Sequence, residues 1–277
     1  VYIYHKPDFN STTCAFGTPF GALDLDEEYD GKRYNFHAGI AHFLEHKLFE
    51  EEDGDVLGKF SKMGAYVNAM TSYTETIYYF SIAQDKHLSE CLDLLLDFTQ
   101  QLNIDEASVE KEKPIIIEEI SMYKQLPDAR LLEETYKALY HHYPLIYDIG
   151  GDEESVKAIT LKELKECYQI NYHPSNMILC ITTFIDPFKI MQIIKDNQKA
   201  KAFIKHEPAR VNLVKEPKSV AKKSSYLAMD VNSFKHVYGI KLDLCDTDIY
   251  ELIRKEKALR FALQMLFSNM NPAYQKW

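Results

Sequence analysis

Apolar positions recur along this chain with two periods, one of about 2 residues and one of about 3.6, and the switches between them divide it into strands and helices. Residues 1–4 and 12–20 read as strands, the second closed by Pro19 and Gly21. The polar, Asp-rich stretch 24–35 reads as a loop. Around 39–49, apolar Phe43, Leu44, Leu48 and Phe49 fit a helix, and 56–63 form a short helix closed by Gly64, with Lys59 and Lys62 in its last turns. Strands follow at 66–70 and 74–82, the second rich in β-branched and aromatic residues. Leu88, Cys91, Leu92, Leu95, Phe98 and Leu102 then predict an amphipathic helix over 85–102. The next helix starts near Asp105 and stops before Pro127. Pro114 within it lacks a backbone donor and crowds the preceding turn, which predicts a kink or a restart.

Beyond it, 130–141 reads as a helix with Leu131, Leu132, Thr135 and Leu139 inward, Gly150-Gly151 as a turn, 155–169 as one helix and 177–183 as a strand. Asp186-Pro187 opens a helix to about residue 196. From 198 to 223 the composition shifts toward Lys, Glu, Pro and Ala and the periodicity fades, which predicts a linker. Strands at 225–230 and 237–244 and a long helix over 249–270 follow. The organisation expected is one domain over 1–197, a linker over 198–223 and part of a second domain over 224–277.

Composition narrows the function classes. At 277 residues and 46% hydrophobic content the chain can bury a sizeable core, which argues against disorder. A net charge of -10 argues against nucleic acid as a partner, since phosphate binding needs concentrated Lys and Arg. Lys222-Lys223 lies in the linker without interleaved aromatics, and the acidic runs 24–30 and 50–55 read as solvated loops. Five cysteines, Cys14, Cys91, Cys167, Cys180 and Cys245, form no C-x-x-C pair and suggest a reducing compartment. No window offers the roughly 20 apolar residues of a membrane span, and no signal peptide precedes Val1, so a cytoplasmic protein is expected.

The chemistry concentrates in Gly39-Ile40-Ala41-His42-Phe43-Leu44-Glu45-His46. On a helix, His42, Glu45 and His46 project from one face. Two histidines four residues apart can share one divalent metal, and Glu45, one turn from each, can hold the water that the metal polarises. The order H-x-x-E-H inverts that of thermolysin-type H-E-x-x-H enzymes. A catalytic zinc usually takes a third protein ligand, and the best candidates lie in the segment 110–123. Glu112 and Glu119 are seven residues apart, close to two helical turns, so they share a face, whereas Glu118 points about 100° away from Glu119. One of the pair can bind metal while the other supports it. His141-His142 are adjacent, face apart and read as loop or surface residues.

Four segments in order resemble the pitrilysin/insulinase family of zinc metallopeptidases, particularly the shorter bacterial members similar to mitochondrial processing peptidase. They are the His42 motif, Gly64-Ala65-Tyr66-Val67-Asn68-Ala69-Met70-Thr71 with Thr76-Ile77-Tyr78-Tyr79-Phe80, the segment 112–123, and Tyr172-His173-Pro174-Ser175-Asn176-Met177. The resemblance implies an α+β fold, a mainly antiparallel sheet covered on one side by helices, duplicated in the complete protein; residues 257–277 look like the opening of the second, homologous domain, incomplete here. It implies one Zn2+ per chain on His42, His46 and Glu119, Glu45 as general base, Glu112 as the supporting carboxylate, and Asn68 and Ala69 as substrate-binding residues on a strand that pairs with an extended peptide. The implied activity is hydrolysis of peptide bonds by a zinc-dependent endopeptidase of bacterial origin. The alternative is a non-catalytic or half-site subunit of a heterodimeric peptide-processing complex. The implied partners are a peptide substrate and a homologous subunit or C-terminal domain that completes the site. The family's Arg and Tyr residues that bind substrate and stabilise the oxyanion have no counterpart assigned in this sequence.

Overall fold

Two strands open the chain, β1 (Tyr2–His5) and β2 (Thr12–Thr18), in the computed structural model, which describes residues 1–51, 54–83, 85–204, 206–242, 248–269 and 271–276. In β2, Thr12, Cys14, Phe16 and Thr18 are buried and the residues between them more open, the alternation of a strand with one face on a core. The loop expected over 24–35 is instead a hairpin, β3 (Asp26–Tyr29) and β4 (Lys32–Asn35). Its turn residues Asp30 and Gly31 both have positive φ, 50° and 71°, and an Asp-Gly pair suits the tight turn whose twist matches its flanking strands. The strands on either side are charged rather than alternately apolar, so periodicity concealed them.

The helix α1 (Ile40–Leu48) follows, then the short pair β5 (Glu50–Glu51) and β6 (Gly54–Asp55), α2 (Val56–Lys62), and the strands β7 (Ala65–Thr71) and β8 (Thr76–Ile82). Glu52 and Asp53 of the acidic run lie outside the described residues. The helix α3 (Leu88–Thr99) lays Leu88, Cys91, Leu92, Leu95, Leu96 and Phe98 on β2 and β8, and Leu102 reaches the same core from the loop beyond. One helix, α4 (Glu106–Tyr123), runs through Pro114 without the expected restart. Asp105 caps it by accepting from the Ser108 N–H, and buried Val109, Ile116 and Ile120 pin it to the core on both sides of the proline. That burial outweighs one missing backbone donor.

The helix α5 (Pro127–Leu139) begins with a proline in its first turn, but its expected inward side is not buried: Leu132 is 47% exposed. The single helix expected over 155–169 is two, α6 (Glu153–Ala158) and α7 (Leu161–Asn171), because Asp152 and Thr160 each cap a separate start. The strand β9 (Ile178–Thr183) and the helix α8 (Pro187–Lys201) close this part of the fold. Within the stretch expected as a linker, β10 (Arg210–Val211) pairs with β3. The strand expected at 225–230 does not form, and neither does the described part, 237–242, of the one expected at 237–244: 225–242 contain neither strand nor helix, and Tyr226, Phe234 and Tyr238 are each 94% exposed. A strand pattern without a ladder partner stays irregular. Leu244 and Cys245 lie outside the described residues, as does Met270 beyond the last helix, α9 (Ile249–Phe267).

The main sheet has the order β1-β9-β2-β8-β7, antiparallel except between β1 and β9. The helices α1, α3 and α8 lie against it, and the opposite face carries exposed Thr13, Tyr66 and Ile178. This is an α+β domain with a mainly antiparallel sheet covered on one side by helices. It places α1 beside β7, the edge strand of the sheet.

One carboxylate in the frame generates a test. Glu27 of β3 is 2% exposed, and its Oε2 accepts from Asn171 Nδ2 at 2.8 Å. Burial pushes its pKa up from 4.5 to about 7, against the Asn171 hydrogen bond and with help from the Asp24 charge. The folded chain therefore binds this proton more tightly than the unfolded chain, and stability falls as pH rises from 4.5 toward about 7. Glu27→Gln removes the charge and keeps an acceptor for Asn171. It is expected to raise Tm near about pH 8 and to change it little near about pH 4; equal shifts at both pH values in thermal melts would contradict the assignment.

Candidate metal centre

Two glycines set where α1 begins. Gly39 has φ 90°, and a Cβ there would lie 2.3 Å from the Gly150 carbonyl oxygen; Gly151 has φ 79°, and a Cβ there would lie 2.4 Å from the Ala38 carbonyl oxygen. Only glycine suits positions that combine positive φ with such close backbone approach. The turn at Gly150-Gly151 thus docks directly onto the start of α1. The helix buries Ile40, Ala41, Phe43, Leu44, Lys47 and Leu48, while His42, Glu45 and His46 emerge on its more open side.

The helix α4 packs on α1 and carries both candidate glutamates. His42, His46 and Glu119 each offer a ligand atom, all within 4.8 Å of one another. Nε2 of His46 is 3.3 Å and Nε2 of His42 is 3.8 Å from Glu119 Oε2. Glu112 sits on the other side of the His46 ring, its Oε1 accepting from Nδ1 at 3.0 Å. The choice that spacing left open is thereby given a geometry: Glu119 faces both imidazoles, and Glu112 orients one of them from behind. Glu45 stands beside the group with its Oε2 accepting from the Thr71 hydroxyl at 2.7 Å.

Electrostatics follow from burial and from these contacts. Burial, with the neighbouring His46, pulls the His42 pKa down to about 4, so this ring is neutral near pH 7, with a lone pair to give. Burial also disfavours the His46 cation, but the Glu112 hydrogen bond and the charges of Glu112, Glu119 and Glu45 carry its pKa above the ordinary value. The His46 hydrogen bond holds Glu112 below the ordinary glutamate value against burial. Burial raises Glu45, partly offset by the Thr71 hydrogen bond.

The residues fit a divalent metal. His42 is held neutral by burial, and its Nε2, the nitrogen 3.8 Å from Glu119 Oε2, is free to give its lone pair; its Nδ1 is buried with no hydrogen-bond partner among the described residues. Two imidazoles and one carboxylate form the donor set of a catalytic zinc site, which keeps its fourth position open. The three residues line a cavity of about 620 Å³ together with Asn68, Ala69 and Thr71 of β7 and with Tyr123 and Tyr147. Asn68 Oδ1 accepts from the Ala69 N–H at 2.9 Å, and its Nδ2 donates to Tyr66 Oη at 3.1 Å. As the outermost strand of the sheet, β7 presents an edge that an extended chain can pair with.

His141 and His142 stand apart from this group, in a loop whose N–H groups at 141–143 are gathered by the Glu216 carboxylate. Two participants escaped the sequence reading. Lys47 is wholly buried beside His46, and its place three residues after Leu44 and four after Phe43 on the apolar face was a usable signal. Thr71 closes one of the four resembling segments, but its contact with Glu45 arises only through the fold.

Comparison with known proteins gives concordant matches. Residues 30–153 match the model of the insulinase family, peptidase family M16. An uncharacterized zinc protease of Bacillus subtilis, YmfH, is 39% identical over 277 residues, 99% of this chain and 64% of that protein. The mitochondrial-processing peptidase subunit beta of Neurospora crassa is 30% identical over 145 residues, 51% of this chain and 30% of that subunit. The crystal structure of an M16-like peptidase from Alicyclobacillus acidocaldarius superposes with a TM-score of 0.88 at 34% identity, covering 99% of this chain and 64% of that one. The chain thus spans somewhat under two thirds of the length of these longest matches.

The Glu112 contact predicts a measurable dependence. Glu112→Ala frees the His46 ring and is expected to weaken zinc binding about 10- to 100-fold in a competition titration against a chromogenic chelator. Unchanged affinity would show that Glu112 does not orient the ring.

Proposed function

The chain belongs to the insulinase family of peptidases, and from that premise and the geometry of its site we propose that it carries the catalytic half of a zinc-dependent endopeptidase acting on short or extended peptides. The observation that carries this reading is the convergence of His42 Nε2, His46 Nε2 and Glu119 Oε2 on the wall of a cavity, with Glu45 beside them. Zinc held by these three residues supplies, when bound, the Lewis acidity that makes water a competent nucleophile near neutral pH.

The chain's own residues do the rest. The Thr71 hydroxyl holds Glu45 by Oε2, which leaves Oε1 to accept a proton from the attacking water. Burial raises the Glu45 pKa, which makes it a stronger base and then a usable acid for returning that proton to the departing amine. Glu112 fixes the His46 ring so that Nε2 stays turned toward Glu119. The β7 edge aligns the substrate backbone, with Asn68 and Ala69 flanking the scissile bond. A homologous subunit or C-terminal domain supplies donors for the oxyanion.

The same residues distinguish this from a non-catalytic subunit, which has no use for a proton acceptor beside a metal site. A cytoplasmic, bacterial setting is supported by the bacterial source of YmfH and by the free thiols of Cys14, Cys91, Cys167 and Cys180. No helix among the described residues is long and apolar enough to cross a membrane.

Glu45→Gln separates the two readings. Hydrolysis of a quenched peptide library by the complete protein is expected to fall by more than about 100-fold while zinc content stays at the wild-type level. Cleavage at the wild-type rate would contradict the role of Glu45.

A further inference from the structure

Lysine is seldom wholly buried, and when it is, its ammonium has partners. The Lys47 side chain is 0% exposed. Its Nζ donates to the Ser108 carbonyl at 3.2 Å, faces Glu112 Oε2 at 3.4 Å and pairs with Glu50 Oε2. Ser108 Oγ donates to that same Glu50 oxygen at 2.9 Å. The ammonium is therefore enclosed by acceptors from the first half of α4 and from the residue that follows α1 by two positions.

One of those acceptors belongs to the metal centre. Glu112 uses Oε1 for His46 Nδ1, at 3.0 Å, and Oε2 for Lys47. A carboxylate held by a single oxygen can rotate about its last bond, whereas one held by both has a fixed plane. A fixed plane in turn fixes the ring it accepts from. We propose that Lys47 is a positioning residue for the metal centre: by holding Glu112 Oε2 it keeps Oε1 on His46 Nδ1 and so turns His46 Nε2 toward Glu119. The ammonium also offsets negative charge beside a cleft lined by the Glu45 and Glu119 carboxylates, with Glu112 behind His46. This inference rests on the metal-site reading above.

Removing Lys47 has two opposed consequences. Loss of a nearby positive charge favours a divalent cation, and loss of the clamp on Glu112 disfavours it. A double-mutant cycle separates them, because only the clamp acts through Glu112. Zinc affinity is measured by chelator competition for the full chain as wild type, Lys47→Met, Glu112→Ala and the double variant, with the fold of each metal-free form checked by circular dichroism. The expected result is a loss of about 10-fold for Lys47→Met in the wild-type background and none once Glu112 is alanine. Lys47→Arg, which keeps a charged donor, is expected to retain most of the affinity. Lys47→Gln keeps a donor for the Ser108 carbonyl, so it serves if Lys47→Met does not fold, and it is expected to show the same dependence on Glu112.

The same change in zinc affinity on Lys47→Met in both backgrounds, whether a loss, a gain or none, would overturn the role of Lys47 and leave the metal site standing. A wild-type chain that takes up no zinc would remove both.

Discussion

The 3.0 Å contact between His46 Nδ1 and Glu112 Oε1 is the constraint around which the rest of the site is arranged. It joins α1 to α4 across 66 residues of sequence, and it settles which nitrogen of His46 is left to face Glu119. An imidazole has two chemically similar nitrogens, and only a partner on one of them makes the other available in a fixed direction. Without that contact the two helices would still pack, since both bury residues in one continuous core, but the direction of the His46 ring would not be specified.

The fold supplies the remaining constraints from several directions. The reciprocal glycines at Gly39 and Gly151 bring the turn after α5 against the first residues of α1, closing one side of the cavity. The sheet ends at β7 next to the same helix, so the open edge and the metal ligands share one cleft. Thr71, at the end of that strand, reaches back to Glu45. Glu45, the three candidate ligands and a backbone edge are thus placed by three separate elements whose cores are continuous.

The parts of this arrangement written in local pattern were legible in the sequence. His42, Glu45 and His46 are spaced for one helix face, and the seven-residue interval from Glu112 to Glu119 put both on another. The stripe from Leu88 to Phe98 gave α3 directly, since its period and its burial coincide. What depended on tertiary context was not legible. The spacing could not say which glutamate faced the imidazoles, because that depends on how α4 lies on α1. The β3–β4 hairpin was hidden by its charged strands despite Asp30-Gly31, and the break between α6 and α7 rests on a single threonine cap. The strand-like segments after 225 carried the right residue types, yet none of 225–242 finds a ladder partner. Lys47 was overlooked because a lysine on an apolar face looks like an exception until its acceptors are seen.

The central claim is that His42, His46 and Glu119 together hold one zinc ion, and it is tested most directly by the zinc content of the purified chain, wild type beside His46→Ala, by elemental analysis after dialysis. One zinc per chain in the wild type, lost in the variant, is the result the geometry predicts. A wild type without zinc, or a variant that keeps it, would contradict the account.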